Sequence, residues 1–586
     1  MFAKISPRLC FQTIAAFFST WALSKAGRLE VGNILTLLLF VLLFCFYRQA
    51  EIRLEKETAL RSKFSQITVF ALSALFTFFY MVVDYENYVQ TLTNALFRLV
   101  VLSAAALGFV FLFYHVLLFF YSYTLQNIRI TEDEPKYGKR LAFIAFIVCF
   151  VCWIPYFLYL FPGVMTPDSV NQFKQAIGIS PYSNHHPLVH TLLIKLFYQI
   201  GLLFTDNTTV AFSFYTVFQM LVLALSVAFL IQTLTLYKVK TWICYGVILL
   251  YALLPYHAVY AVTIWKDILF AAAVLVFGCC LLRLMKQTDK VTVFLLILSG
   301  ITVCLFRSNG WYGFVVCFPF LLFYFRKKAK QLYLPLFSIL AAAIIVKYPV
   351  MNAAGVIQPD FVESLCIPTQ QIACVIANDR ALTEEQLQLI GSVIEMEHVK
   401  ALYEPTFADN MKELVRAGNQ DYLVEHKKDF FKLWFQLGLT YPGDYFRAYI
   451  NQTYGYYYPD CFYPVSDAEG IWDSGVDIGI VHMPLIRGSI AVKLKEISIK
   501  LGNMLPLYGI LWSMGTIFWI YLFCIGNTVL RKEYQKLICY LPTLCVYGTV
   551  LIATPVASEF RYVYFLVLGL PFYLITTLLP AKKQGE

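Results

Sequence analysis

Residues 141–168 read LAFIAFIVCFVCWIPYFLYLFPGVMTPD. From Leu141 to Phe161 there is no charged side chain. A helix needs about 20 such residues to cross the hydrocarbon core of a bilayer, so the run predicts a membrane span over 141–161. It stops at Pro162-Gly163, and a polar loop follows at once. Thr166 then Pro167 reads as a helix N-cap followed by proline at the first helical position, which puts Asp168 in the first turn.

The same apolar signature recurs in both directions. Further spans are expected at 10–24, 31–47, 64–83, 99–123, 209–236, 242–262, 268–283, 291–306, 310–325, 331–347, 505–525, 537–553 and 562–579. Composition agrees: of 586 residues, 59% are hydrophobic and 14% charged, whereas soluble domains carry about 25% charge. So little polar surface excludes a soluble enzyme fold for most of the length. The fold class expected is an all-α polytopic membrane protein of about 13–14 transmembrane helices. The first apolar stretch lacks a small-residue cleavage site and is followed by another, so a removable signal peptide is not expected.

The net charge of +10 could mark a nucleic-acid surface or the cytoplasmic side of a bilayer. The cations fall in short clusters between apolar runs, which favours the second and leaves no nucleic-acid partner. The connection 48–63 carries Arg48, Arg53, Lys56, Arg61 and Lys63. Alternation from there puts Arg129, Lys136, Lys139 and Arg140 inside, then Lys238/Lys240, Arg283/Lys286/Lys290, Arg326/Lys327/Lys328/Lys330, Arg531/Lys532 and Lys582/Lys583. The register holds only if 188–204, with His190 and Lys195, lies in the plane of the membrane or re-enters. Both termini are then cytoplasmic.

This divides the chain into an N-terminal transmembrane module (1–140) and a core (141–347) with an outer loop at 162–208. An extracytoplasmic domain of mixed structure (348–504) and C-terminal helices (505–586) follow. In the outer domain Thr383 and Gln386 form a capping box, and YGYYYPDCFYP reads as an irregular segment near the headgroups. Cys366, Cys374 and Cys461 lie outside, where one pair could bridge; most other cysteines sit in apolar runs as small hydrophobes.

Lys266, Arg307 and Arg561 fall in short outer connections, the wrong side for orientation. Each has polar company, in Trp265-Lys266-Asp267, Arg307-Ser308-Asn309-Gly310 and Glu559-Phe560-Arg561-Tyr562. Singly they have plain readings: a belt aromatic at Trp265, an N-cap at Asp267, a tight turn at Ser-Asn-Gly. Three cations on one face are better explained by an anion at the outer interface. Asp168 is either a helix-dipole residue or a carboxylate placed to take a proton from an acceptor hydroxyl. His185, His186, His190 and His257 map near the same face. The i,i+4 spacing of His186 and His190 would suit a metal, but without an assigned carboxylate partner donors to a phosphate, or loop packing, are the simpler reading.

The first-loop acid, the in-plane helices and the many spans together resemble the GT-C superfamily of membrane glycosyltransferases. Its members include protein O-mannosyltransferases, oligosaccharyltransferases and aminoarabinose transferases. PGVMTPDS and NHHPLVHTLLI, with WKD and RSNG, are similar to a bacterial set of multi-spanning proteins associated with Gram-positive cell-surface glycan assembly. The likeness covers roughly 141–347, and the outer domain and EFRY less closely. It implies a plasma-membrane enzyme with an outward-facing active site. The donor would be a polyprenyl-phosphate sugar and the acceptor a glycan or lipid-linked glycan. Asp168 matches the family's first-loop acidic position. A lone Asp stands there instead of an Asp-Glu pair, so no cofactor follows and a divalent metal has little support.

Displacement at an anomeric carbon needs a base for the acceptor and cations for the departing phosphate. Asp168 is the expected base, and Lys266 and Arg307 the phosphate ligands. Arg561, His185 and His186 are further phosphate candidates, with Asp267, Glu559 and His257 as other site candidates. Two rivals remain: a lipid or glycan transporter or flippase, and a glycan polymerase or ligase of another fold. A transporter would carry ionisable groups near span centres and inverted repeats; here the charges sit at span ends and no repeat is seen.

Overall fold

The computed structural model describes residues 7–29, 33–126, 128, 130–132, 138–463, 470–473, 475–486, 493, 496, 497, 500, 501 and 504–580. Arg129, Lys136, Lys582 and Lys583 lie outside them. A helix lies over each of the fourteen expected segments: α1 (Pro7–Ala26), α2 (Ile34–Lys56), α3 (Lys63–Val89), α4 (Ala95–Leu125), α5 (Gly138–Tyr159), α8 (Thr208–Leu236), the pair α9 (Thr241–Leu253) and α10 (Pro255–Val262), α11 (Lys266–Lys286), α12 (Lys290–Phe306), α13 (Ser308–Tyr324), α14 (Ala329–Ile345), and three C-terminal helices at Met514–Leu530, Leu537–Ala553 and Tyr564–Leu578. Between α5 and α8 come α6 (Pro167–Ala176) and α7 (Leu188–Leu202).

The chain is an all-α, multi-pass membrane protein. Among the described residues nine helices are long and apolar enough to span, or ten if α9 and α10, bent by 56°, act as one. That is fewer than the 13–14 expected. α12 and Met514–Leu530 are short, α1 is not apolar enough, and Ser308–Ala353 forms one helical run holding both α13 and α14. One boundary moves: the segment expected at 505–525 begins only at Met514, where Ser513 Oγ accepts the Thr516 N–H at 3.1 Å as an N-cap. Residues Pro506–Ile510 form a separate short helix. Hydropathy alone merges the two, because the cap between them is a single serine.

α11 is the hub. Of its apolar window 89% is buried inside the protein, against 17% for α2 and α4, whose apolar faces are left for lipid. α11 packs on α8, α12, Leu537–Ala553 and Tyr564–Leu578, and one apolar core joins these C-terminal helices to α5–α14. The first four helices form a separate bundle docked on Met514–Leu530, where Phe76 stacks on Trp519 at 4.3 Å. There Thr124 Oγ1 also donates to Asn527 Oδ1 at 2.8 Å.

The domain expected on the outer face folds around its own core of Val362, Ile372, Val399, Met411, Leu423, Phe430 and Leu437. Thr383 and Gln386 make the expected capping box. The domain is not mixed, however: its described residues hold helices and irregular chain, with isolated bridges and no strand. The tyrosine run, expected to be irregular, forms a short turn at Tyr454–Tyr456 and is held by side-chain and carbonyl bonds to spans. Tyr456 Oη meets Thr554 Oγ1 at 3.0 Å, and the Tyr457 carbonyl accepts from Trp519 Nε1 at 2.9 Å. Cys366, Cys374 and Cys461 are unbridged. The first two share one helix, eight residues apart and so about 12 Å, beyond disulfide reach.

Candidate functional site

The site begins where α5 ends. Gly163 has φ +140°, and a Cβ there would stand 2.7 Å from Thr216 Oγ1, so only glycine fits the turn. Beyond it the chain runs extended between two other strands of loop. Val164 N–H donates to the Val262 carbonyl and Ile264 N–H to the Val164 carbonyl, both at 2.9 Å. On the other side Met165 N–H donates to the Gly470 carbonyl at 3.0 Å. Gln219 Nε2 holds the break between α10 and α11 open by donating to the carbonyls of Ala261 at 3.0 Å and Thr263 at 2.7 Å.

This frame aims Asp168. The Ser169 hydroxyl accepts the Thr166 N–H at 2.8 Å, and Trp265 Nε1 donates to Thr166 Oγ1 at 2.7 Å. α6 therefore starts at Pro167 with Asp168 in its first turn, as the sequence predicts, and is tied to the residue that precedes α11. Asp168 Oδ2 accepts from Arg561 at 3.0 Å, with Lys266 Nζ at 3.5 Å and His186 Nδ1 at 3.9 Å. Lys266 also donates to His186 Nδ1 at 3.1 Å. A lysine as the first residue of α11 opposes the helix dipole, at a cost of about 0.3–1 kcal/mol, so helix stability does not explain it.

Arg561 lies between the rings of Trp265 (4.9 Å) and Tyr562 (5.2 Å), and Arg307 lies over the same Tyr562 ring at 4.7 Å. The Arg307 guanidinium is paired with Asp267. Asp267 is not an N-cap, since Trp265 holds that position, and Arg307 is itself the N-cap of α13, which takes Ser308-Asn309-Gly310 into its first turn. Glu559 accepts from Tyr463 Oη at 3.0 Å and stands 3.7 Å from Arg561 Nε.

His185 packs edge-on to His186 at 4.6 Å and stands 3.9 Å from Glu363, which holds Lys412 at 2.8 Å; the outer domain thus reaches the site loop. His190 and His257 do not join the cluster. His190 shares its ring nitrogens with Gln172 Oε1 at 2.8 Å and Tyr215 Oη at 2.6 Å, so it is spent on packing and not paired with His186. His257 bonds Tyr564 Oη at 2.9 Å, behind the rings of Tyr260 and Trp265. Among the described residues no three His, Cys, Asp or Glu side chains converge as a metal would require.

Electrostatics separates the two acids. Burial alone would push the Asp168 carboxyl up, but Lys266 and Arg561 outweigh it and hold the group well below the usual carboxylate range. At Glu559 burial wins over Arg561 and the Tyr463 hydroxyl, and the carboxyl is pushed up. Burial, with Lys266 beside it, drives His186 well below its ordinary value, and His185 moves the same way, so both are neutral at pH 7. Three cations thus face Asp168, Asp267 and a glutamate whose charged form is disfavoured. The three cations and three carboxylates balance formally, but two of the cations, Lys266 and Arg561, converge on the single carboxylate of Asp168.

Residues 178–586, more than half of the chain, match the DUF6020 family, described as a family of unknown function. The chain belongs to the DUF6020 family. The matched stretch holds His185, His186, Lys266, Asp267, Arg307, Glu559 and Arg561, while Asp168 and the first four helices precede it. No curated protein and no solved structure matches the chain.

Tyr463, Tyr562 and Tyr260 also build the site, and composition hides them, since the chain has 40 tyrosines. The signal that could mark Tyr562 is its place next to Arg561, a cation at a span end expected to face outward. Tyr260 Oη and Asp267 Oδ2 are buried without a hydrogen-bond partner, beside the charged groups.

Proposed function

We propose that this protein is a GT-C-like glycosyltransferase of the bacterial plasma membrane. It takes a sugar from a polyprenyl-phosphate donor and passes it to a cell-surface glycan or lipid-linked acceptor on the outer face. The observation that supports this reading is the convergence of two cations, Lys266 and Arg561, on the single carboxylate of Asp168 at the ends of apolar helices. A lipid phosphate brings its tail to the helices and its charge to the cations.

In this reading Lys266 and Arg561 receive the donor phosphate, with His186 and Arg307 beside them. The acceptor oxygen bonds to the anomeric carbon and the carbon–phosphate oxygen bond breaks, its electron pair leaving on the phosphate. Asp168 takes the acceptor proton. With both cations on it Asp168 is a weak base; a phosphate that draws them away raises its basicity where the proton is released.

The test is donor consumption by purified protein in detergent, with no gradient, read by mass spectrometry across a panel of polyprenyl-phosphate sugars. Asp168→Asn should lower turnover at least ~100-fold. It should also bind the polyprenyl phosphate more tightly, because the competing carboxylate is gone. Wild-type turnover by the Asn variant would remove Asp168 from the chemistry. Donor movement that needs a gradient, without consumption, would favour a flippase.

A further inference from the structure

The helix Lys427–Thr440 of the outer domain is apolar on two sides. Phe430, Leu433 and Leu437 are buried in the domain core, whereas Phe431, Phe435 and Leu439 are 39%, 60% and 69% exposed. At 100° per residue these three, spaced i, i+4 and i+8, form one continuous stripe. Lys428 and Lys432, both exposed, fall on or beside that stripe, and the one acid of the helix, Asp429, falls off it.

The position of the stripe follows from its neighbour. Helix Pro442–Thr453 touches two different spans near their outer ends. Arg447 pairs with Glu86 of α3, Tyr449 Oη donates to the Leu551 carbonyl at 3.2 Å, and Gln452 Nε2 donates to the Thr554 carbonyl at 2.8 Å. Within six residues this helix therefore meets the ends of two spans. Lys427–Thr440 packs on it, with Tyr445 Oη donating to the Trp434 carbonyl at 2.7 Å, and so stands one helix away from those span ends. Phe446, also exposed, stands beside Arg447.

We infer that the stripe Phe431–Phe435–Leu439 is a lipid-docking face, seated at the boundary between headgroups and acyl chains of the outer leaflet, with Lys428 and Lys432 on anionic headgroups. An aromatic stripe flanked by lysines has the composition of an in-plane interfacial helix. A patch of this kind left in water would be an aggregation liability. The face does not depend on the glycosyltransferase reading, and would serve a transporter equally.

The experiment places a fluorophore at Phe435→Cys, and separately at Asp429→Cys, in full-length protein lacking other reactive cysteines. The protein is reconstituted into phosphatidylcholine nanodiscs with 0 or about 30% phosphatidylglycerol, a fraction that gives a substantial surface potential. Spin-labelled lipid should quench the label at 435 several-fold more than the label at 429, and more so with phosphatidylglycerol. Lys428→Glu with Lys432→Glu should abolish that increase. Equal, weak lipid quenching at both sites, with free access of iodide to 435, overturns the inference. Protection of 435 from both lipid and iodide also overturns it, in favour of a protein partner or a second copy.

Discussion

Asp267 and Arg307 have side chains only 1% and 11% exposed, and they are committed to each other. Removing one member of a buried pair strands the other, at about 3–5 kcal/mol. Arg307→Ala is therefore expected to lose membrane abundance, and Arg307→Gln with Asp267→Asn to recover it, measured by size exclusion in detergent. Normal abundance of the single variant with lost donor binding would make Arg307 a ligand group first. Glu559 gives a pH test. Its carboxyl is raised in the folded state, so the native protein holds that proton where the unfolded chain has released it. From about pH 4, the ordinary glutamate value, stability is lost as pH rises toward the folded value, by at most about 1.4 kcal/mol per pH unit. Glu559→Gln should melt closer to wild type at pH 4.5 than at pH 7.5, where it should be the more stable; an equal difference at both would mean the carboxyl is not strained. Lys266 and Arg561 are legible because a cation at the span end expected to face outward has no topological reason to be there, and Asp168 because Thr166-Pro167 after an apolar run marks a helix start. Tyr463 is not, because a phenol declares no chemistry until a carboxylate is seen against it.

The start of α6 was readable to the residue, since Thr-Pro-Asp after an apolar run leaves few other conformations. The start of Met514–Leu530 was not, since hydropathy averages over a cap. α7, expected to lie in the plane of the membrane or to re-enter, is fifteen residues and about 22 Å long, shorter than a bilayer's hydrocarbon core. The sidedness of 162–208 and 348–504 decides whether the site faces outward. Single cysteines at Ser183 and Asn419, in a background lacking competing thiols, should react with an impermeant reagent in intact cells. Labelling at both sites only after lysis would place Asp168 and its cations in the cytoplasm and end the outward reading.

At the scale of the molecule, the apolar patterning was enough to count segments but not to say which of them pack together. The C-terminal helices, far from α11 in sequence, complete its surroundings, which no local pattern announces. The first four helices raise a different matter, because they stand outside the stretch that matches the family and yet touch it. Asn527 is fully buried, with Thr124 on its carbonyl oxygen at 2.8 Å and Thr577 on its amide at 3.0 Å. In a chain without α1–α4 one side of Met514–Leu530 would meet acyl chains, which can offer Asn527 nothing in exchange for Thr124. For that helix the N-terminal bundle is a solvent that cannot exchange: it supplies a fixed polar contact at one depth and stacked rings at another, whatever lipid the cell happens to make.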